Sequence, residues 1–189
     1  KKYKIEYYEG SENNVLSRYY KCAEKFKVDN IVRITSDCPL IDTNLIFKMI
    51  KYFKEHKYEY LANTLPEKNK TFPDGSDVEI FKTSSLKKMM SLKLTQSDKE
   101  HVTNKLWSSE IFKSKIYKTK VNFSKYRYSV DYRSDIVNIK KIINLLIKNK
   151  LKFTTLNIVN TINKYSDIKN TMNKNIIKQQ KRRKKIFKL

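Results

Sequence analysis

Apolar positions along the chain fall into blocks with two different spacings. From Asn14 to Phe26, Leu16, Tyr19, Tyr20, Ala23 and Phe26 recur at helical intervals and predict one buried helix face. Asn30 to Thr35 is a β-branched run that predicts a buried strand. The run stops at Ser36-Asp37-Cys38-Pro39-Leu40-Ile41-Asp42, where Pro39 lacks the amide hydrogen that a central strand needs, so a loop follows the strand's carboxyl end. Asp42 or Thr43 then caps a helix whose Leu45, Ile46, Met49, Ile50 and Phe53 face inward. Tyr58 to Asn63 and Val78 to Phe81 read as strands, the latter followed by a helix from Ser85 to Leu94. Between them, Thr64 to Ser76 holds two of the three prolines and one of the two glycines, which marks a loop. A loop of that length inside a compact domain is usually functional or disordered.

In the second half, Ser97-Asp98-Lys99-Glu100 fits a capping box that opens a helix running through Trp107. Lys115 to Val121 and Tyr126 to Val130 read as strands. Ser134 caps a periodic helix through Ile147, with Ile136, Ile139, Ile143, Leu146 and Ile147 on its apolar side, and a last short helix spans Leu156 to Tyr165. No internal repeat is present. Helices and strands alternate, so the class is α/β. In open α/β sheets, ligands bind beyond the carboxyl ends of strands. Two loops rich in carboxylates lie at such ends, Ser36 to Asp42 and Asp131 to Asp135.

Length and charge narrow the picture. At 189 residues the chain is expected to form one domain with an appendage. The net charge is +23, but Lys, Ile, Asn and Tyr are abundant while Ala and Gly occur twice each, so AT-rich codon usage acting on solvated positions accounts for most of it. Basic residues cluster only at Lys181-Arg182-Arg183-Lys184-Lys185, inside a segment from Thr171 to Leu189 that has no acidic residue. No nucleic-acid-binding motif accompanies that cluster, and nucleic acid is not expected as a partner. A dispersed positive field favours small anionic ligands such as nucleotides and acidic sugars. No apolar run reaches the ~18 residues of a membrane span, and the start, Lys1 to Glu6, is not a secretory signal. Cys22 and Cys38 make neither a disulfide framework nor a zinc spacing, which fits a reducing, cytoplasmic setting.

Asp37 follows the first strand and Asp131 ends another. Two carboxylates brought to one sheet edge suit a hard cation such as Mg²⁺, which takes one or two carboxylates plus substrate phosphates. The competing reading makes Asp37 a turn residue, and makes Asp131 and Asp135 charges at a helix start. His101 is a helix-surface residue or an acid–base group; His56 is solvated, and Cys22 is core. Cys38 lies in a site loop but has no histidine near it in sequence. Gly10 and Gly75 are isolated, so no glycine-rich phosphate loop is present.

Five segments taken in order resemble a known family. They are Gly10 to Tyr19 leading into Ile31-Val32-Arg33-Ile34-Thr35-Ser36-Asp37-Cys38-Pro39-Leu40-Ile41-Asp42; Phe72-Pro73-Asp74-Gly75-Ser76-Asp77-Val78-Glu79-Ile80-Phe81; Glu100-His101-Val102-Thr103; Arg127-Tyr128-Ser129-Val130-Asp131; and Ser134-Asp135. Together, from Gly10 to Leu146, they resemble the cytidylyltransferases of the spore-coat-polysaccharide type, relatives of the CMP-Kdo and acylneuraminate cytidylyltransferases. The resemblance implies a Rossmann-like nucleotide-diphospho-sugar transferase fold. It also implies transfer of CMP from CTP to a sugar, commonly an acidic one, with loss of pyrophosphate. It assigns Asp37 and Asp131 as catalytic, Mg²⁺-holding aspartates, and places Asp77, Glu79 and His101 on the sugar side; Arg18 and Arg33, two of only six arginines, either bind substrate phosphate or carboxylate or form structural ion pairs. CTP and a sugar for surface polysaccharide are the implied partners, no membrane is, and a homodimer is left open.

Members of that family begin with a strand and a basic nucleotide loop of the pattern Gly-Ser-Thr-Arg-Leu-Pro-Gly-Lys, which has no counterpart in this sequence. The expectation is therefore an N-terminally truncated fold with an exposed apolar sheet edge. Residues 1–168 would form the cytidylyltransferase-like domain and 169–189 a basic C-terminal tail. The alternative reading is a non-catalytic binding or assembly subunit, or a degenerate copy of the enzyme.

Overall fold

The computed structural model describes residues 5–187. Lys1 to Lys4, the start read above as no signal, lie outside the described residues, as do Lys188 and Leu189 of the basic segment. In chain order the elements are α1 (Val15–Lys25), β1 (Asn30–Arg33), α2 (Thr43–His56), β2 (Tyr60–Ala62), a short 3₁₀ turn (Glu67–Asn69), β3 (Glu79–Lys82) and α3 (Thr83–Met90). Then come α4 (Gln96–His101), α5 (Asn104–Ser108), β4 (Ser114–Ile116), α6 (Arg133–Lys148), α7 (Thr155–Lys164) and α8 (Ser166–Phe187). The mixed α/β class expected from the alternation is observed, with a four-stranded sheet of order β1-β3-β2-β4. The chain divides into two compact units: one of residues up to Arg33, Tyr52–Leu61 and Glu79–Lys115, the other of Ile34–Lys51, Ala62–Val78 and Ile116 onward.

The first unit holds the sheet, apart from the terminal residues Ala62 and Ile116 of β2 and β4. β1 pairs antiparallel with β3, Asn30 opposite Lys82 and Arg33 opposite Glu79. α1 packs on α3 and α4, and Leu16, Ala23, Ile80, Phe81, Leu86, Met89 and Leu106 are buried. Asn14 caps α1 by accepting from the Ser17 amide, satisfying one of the helix's orphan donors. β1 is not buried but lies at the edge of the sheet, with Val32 37% exposed, because only β3 flanks it. The capping box sits two residues earlier than the pattern suggests: Thr95 Oγ1 accepts from the Asp98 amide, and Asp98 Oδ2 accepts from the Thr95 amide. The helix expected to reach Trp107 breaks at Val102, whose φ of +65° no continuous helix accommodates.

The second unit is organised around α6, α7 and α8. Leu40, Tyr126, Tyr128, Ile139, Ile142, Leu146, Ile158, Ile162, Ile168 and Met172 form its core. The buried side of α6 is rotated from the expected one: Ile139, Ile142 and Leu146 point inward, while Ile136 and Ile147 are exposed. Ser134 is not the cap of α6. Its place is taken by the Asp135 carboxylate, which accepts from the Tyr132 amide. Asp42 does cap α2, accepting at Oδ1 from the Asn44 and Leu45 amides, and its Oδ2 accepts from the Thr155 amide at the start of α7. One carboxylate thus serves two helix N-termini, each of which favours negative charge. Residues 169–187, expected as a tail, continue α8 from Ser166, and Met172 and Asn175 are buried.

Tyr126 to Val130 is not a strand, and of Lys115 to Val121 only the first two residues belong to β4. A single parallel bridge joins Arg127 to Asp74, with the Asp74 amide donating to Tyr126 O and the Tyr128 amide to Asp74 O. Ladder pairing cannot continue because residues 73–77 form a tight turn. Gly75 has φ +96°, and a Cβ there would stand 2.5 Å from the Ser129 nitrogen and 2.6 Å from the Tyr128 carbonyl carbon. Both are backbone atoms that cannot rotate away. Gly75→Ala is therefore expected to lower stability by about 2 kcal/mol or more, read as a shift of the denaturant midpoint; an unchanged midpoint would refute the close approach.

Candidate active site

The sequence-predicted site residues divide between the units. Asp37, Asp77 and Asp131 belong to the second, and Arg18, Glu79 and His101 to the first. Arg18 is half-buried on α1 and borders a shallow recess with Tyr8, Glu9, Gly10 and Glu12. His101 is exposed at the last position of α4. Glu79 is 3% exposed, paired with Arg33 through one oxygen and accepting from Tyr60 Oη at 2.7 Å through the other. Both its oxygens are committed inside the first unit, one of them neutralising Arg33 at the end of β1. Burial, and then the Glu79 charge beside it, pushes the Tyr60 hydroxyl well above its ordinary value.

The second unit brings the other three closer in space than in sequence. The Val130 amide donates to the Asp37 carbonyl at 2.9 Å, which sets the segment carrying Asp37 beside the segment carrying Asp131. Asp77 lies on the Asp37 side. The Cys38 thiol donates toward Asp77 Oδ2 at 3.5 Å and Asp37 Oδ1 at 3.7 Å, so the two carboxylates flank one sulfur. Burial, then the Asp77 charge, pushes the Cys38 thiol up to about 12, with Asp37 adding to the shift. A thiol held protonated between two carboxylates is a poor nucleophile at neutral pH. Asp77 accepts from Thr64 Oγ1 at 2.6 Å and from the Gly75 amide at 2.7 Å. Burial raises its carboxyl above the usual range despite those bonds.

The irregular backbone around these aspartates is satisfied by side chains. Asn63 stands in for a strand neighbour: its Nδ2 donates to Ser76 O at 2.7 Å and its Oδ1 accepts from the Val78 amide at 2.8 Å. Ser76 Oγ donates to Pro73 O at 2.7 Å, closing the turn that presents Asp77. Asn63 and Ser76 are fully buried, as such substitutes for ladder pairing must be.

Asp131 is held by a network that spacing alone does not reveal. Arg127, 3% exposed, donates through Nη1 to Asp135 Oδ1 at 2.8 Å and through Nη2 to Asp135 Oδ2 at 3.1 Å; the same Nη2 contacts Asp131 Oδ2. Asp135 Oδ2 also accepts from the Asp131 and Tyr132 amides, both at 2.9 Å. Burial by itself would raise the Asp135 carboxyl, but these hydrogen bonds from Arg127 and the two amides, with one from Asn175, hold it below the usual carboxylate range. Arg127 entered the sequence reading only as the first residue of the Arg127-to-Asp131 segment, and nothing in its spacing marks it as the partner of Asp135.

Two partly exposed aspartates on adjoining segments fit a hard dication that keeps waters and substrate phosphates for its other positions. Among the described residues no group of three or more His, Cys, Asp or Glu side chains is disposed to enclose a metal.

The Asp135 network generates a pH prediction. A carboxyl lowered by folding contributes stability above its unfolded value, and that contribution is lost as the pH falls through the folded value. Asp135→Asn leaves the buried guanidinium poorly paired and is expected to cost about 3–5 kcal/mol at pH 7. The difference from wild type should shrink as the pH drops below about 4; denaturant unfolding at both pH values reads it, and a pH-independent difference would refute the assignment.

Comparison with known proteins bears on the whole chain. A sequence model described as Cytidylyltransferase matches residues 3–185. An uncharacterized protein of Methanocaldococcus jannaschii, MJ1063, is 31% identical over 99 residues, which are 52% of this chain and 38% of that protein. A solved cytidylyltransferase structure from Leptospira borgpetersenii superposes with a TM-score of 0.76 at 31% identity, covering 85% of this chain and 66% of that one. The chain thus spans well under half the length of the curated relative and just under two thirds of the structural one. With a match over nearly its full length, the chain belongs to the cytidylyltransferase family.

Proposed function

We propose that this protein transfers CMP from CTP to a sugar bearing an acidic group, in the cytoplasm, supplying an activated sugar for surface polysaccharide. The observation that carries this reading is the Val130-to-Asp37 backbone hydrogen bond, which sets two aspartate-bearing segments side by side. Family membership supports the nucleotide; the net charge of +23 supports an anionic acceptor. Among the described residues no helix is long and apolar enough to cross a membrane.

In the reaction a hydroxyl oxygen of the sugar attacks the α-phosphorus of CTP. The bond from that phosphorus to the oxygen bridging it to the β-phosphate breaks, pyrophosphate leaves, and the hydroxyl proton passes to solvent. Asp37 and Asp131 would hold Mg²⁺, which when bound supplies charge neutralisation for the triphosphate and the departing pyrophosphate. The work of the chain is positioning. Asp37 is fixed through its own carbonyl, and Asp131 through Arg127. Asp77, fixed by the Thr64 hydroxyl and the Gly75 amide, would face the acceptor.

Pyrophosphate release from CTP with Mg²⁺ and a panel of acidic sugars tests this reading. Release is expected with wild type and should fall at least about a hundredfold in Asp37→Asn, with the unfolding midpoint kept. An Asp37→Asn protein as active as wild type removes Asp37 from the reaction. Calorimetric binding of CTP with no release under any acceptor would favour a non-catalytic binding subunit instead.

A further inference from the structure

α8 carries two amide side chains one helical turn apart, Asn175 and Gln179, and both reach carboxylates at the start of α6. Asn175 is buried, and its Nδ2 donates to Asp135 Oδ1 at 2.6 Å and to Ser134 Oγ at 2.9 Å. Gln179 Nε2 donates to Asp131 Oδ2 at 3.5 Å. Asp131 and Asp135 are themselves one turn apart in sequence, so an amide pair on α8 matches a carboxylate pair on α6 and its lead-in, with Arg127 Nη2 touching both acids. The Lys178 ammonium lies 4.3 Å from the centre of the Tyr132 ring, which further ties α8 to this corner.

The Arg127 fork is used in an uneven way. Its end-on pair, Nη1 and Nη2, grips Asp135. Its Nε is buried and has no hydrogen-bond partner among the described residues. Nε and Nη2 form the side-on fork of a guanidinium, the geometry in which a carboxylate is bound through both oxygens. Asp131 could complete that fork by turning Oδ1 onto Nε. Instead, every contact made to its carboxylate by the described residues falls on Oδ2, and the side chain remains 34% exposed. Gln179 is a second donor that shares Oδ2 with Arg127.

We propose that Gln179, backed by the buried Asn175, is a positioning residue that keeps Asp131 Oδ1 free for a divalent cation, so that α8 is a working part of the cation site. The proposal rests on Asp131 being a cation ligand. Removing the Gln179 amide lets Asp131 take the side-on fork with both oxygens, which strengthens an internal ion pair and withdraws the acid from a cation.

Mn²⁺ binding to the full chain, followed by electron paramagnetic resonance with the metal alone, tests this beside thermal unfolding. Gln179→Leu is expected to weaken Mn²⁺ binding about tenfold without lowering the unfolding midpoint, since Gln179 is only half-buried. Asp131→Asn serves as the control and should abolish the binding. If Asp131→Asn abolishes binding while Gln179→Leu binds as wild type does, the positioning proposal is wrong and the role of Asp131 stands. A parallel loss of affinity and midpoint in Gln179→Leu would mark a structural role and overturn the proposal as well. If wild type binds no Mn²⁺, or Asp131→Asn binds it unchanged, the reading of Asp131 itself fails and takes the proposal with it.

Discussion

A guanidinium almost cut off from water has to be neutralised in place, and the corner of the second unit where Asp131 stands is arranged around that need. Desolvating Arg127 and Asp135 costs several kcal/mol per ion, offset by the bonds made at Nη1 and Nη2 while the buried Nε has no partner among the described residues. Arg127 therefore draws Asp135 from the first turn of α6, Asp135 draws the amides of Asp131 and Tyr132, and Asn175 closes the shell from α8. The stretch from Arg127 to Asp135 and the distant α8 meet at one pair of charges. Leaving either charge alone would consume a large part of the 5–15 kcal/mol that holds an ordinary domain folded. An apolar replacement of the pair could be as stable, so what the ions secure is position: they decide where Asp131 stands.

The same economy appears at the other end of the second unit. Asp42 spends one oxygen on the first amides of α2 and the other on the first amide of α7, joining the loop after Asp37 to the helical layer. Asn63, Ser76 and Asp77 replace the missing ladder partners of the turn at Gly75. The candidate site is thus irregular backbone held by buried polar side chains rather than by sheet pairing. Such a frame can keep carboxylates at fixed places while the nearby strands remain short.

Much of the frame was legible in the sequence. Helical spacing located α1, α2, α6 and α7 within a few residues, and Pro39 marked the loop after β1 because a proline cannot sit in a central strand. What escaped has physical causes. The β-branched run at Ile31 to Thr35 fits a buried strand and an edge strand equally well, and only the strand order decides between them. Tyr126 to Val130 alternates like a strand, yet it pairs at one bridge because Gly75 turns its neighbour away. On α6 the apolar stripe is wider than the face that packs: Ile139, Ile142 and Leu146 are buried while Ile136 and Ile147 at its margin stay exposed. Lysine-rich composition hid α8, whose buried side is carried by Ile168, Met172 and Asn175. In the site, the aspartates could be named from motif order, but the dependence of Asp131 on Arg127, Asp135 and α8 is a tertiary fact with no local pattern.

In the proposed reaction two aspartates from separate segments serve one ion. Crystals grown with Mn²⁺ and CTP, measured at a wavelength where manganese scatters anomalously, locate that ion directly. A single anomalous peak within about 2.5 Å of a carboxylate oxygen from Asp37 and another from Asp131 is the predicted result. A peak bound to one of them with the other turned away, or placed elsewhere on the chain, would contradict it.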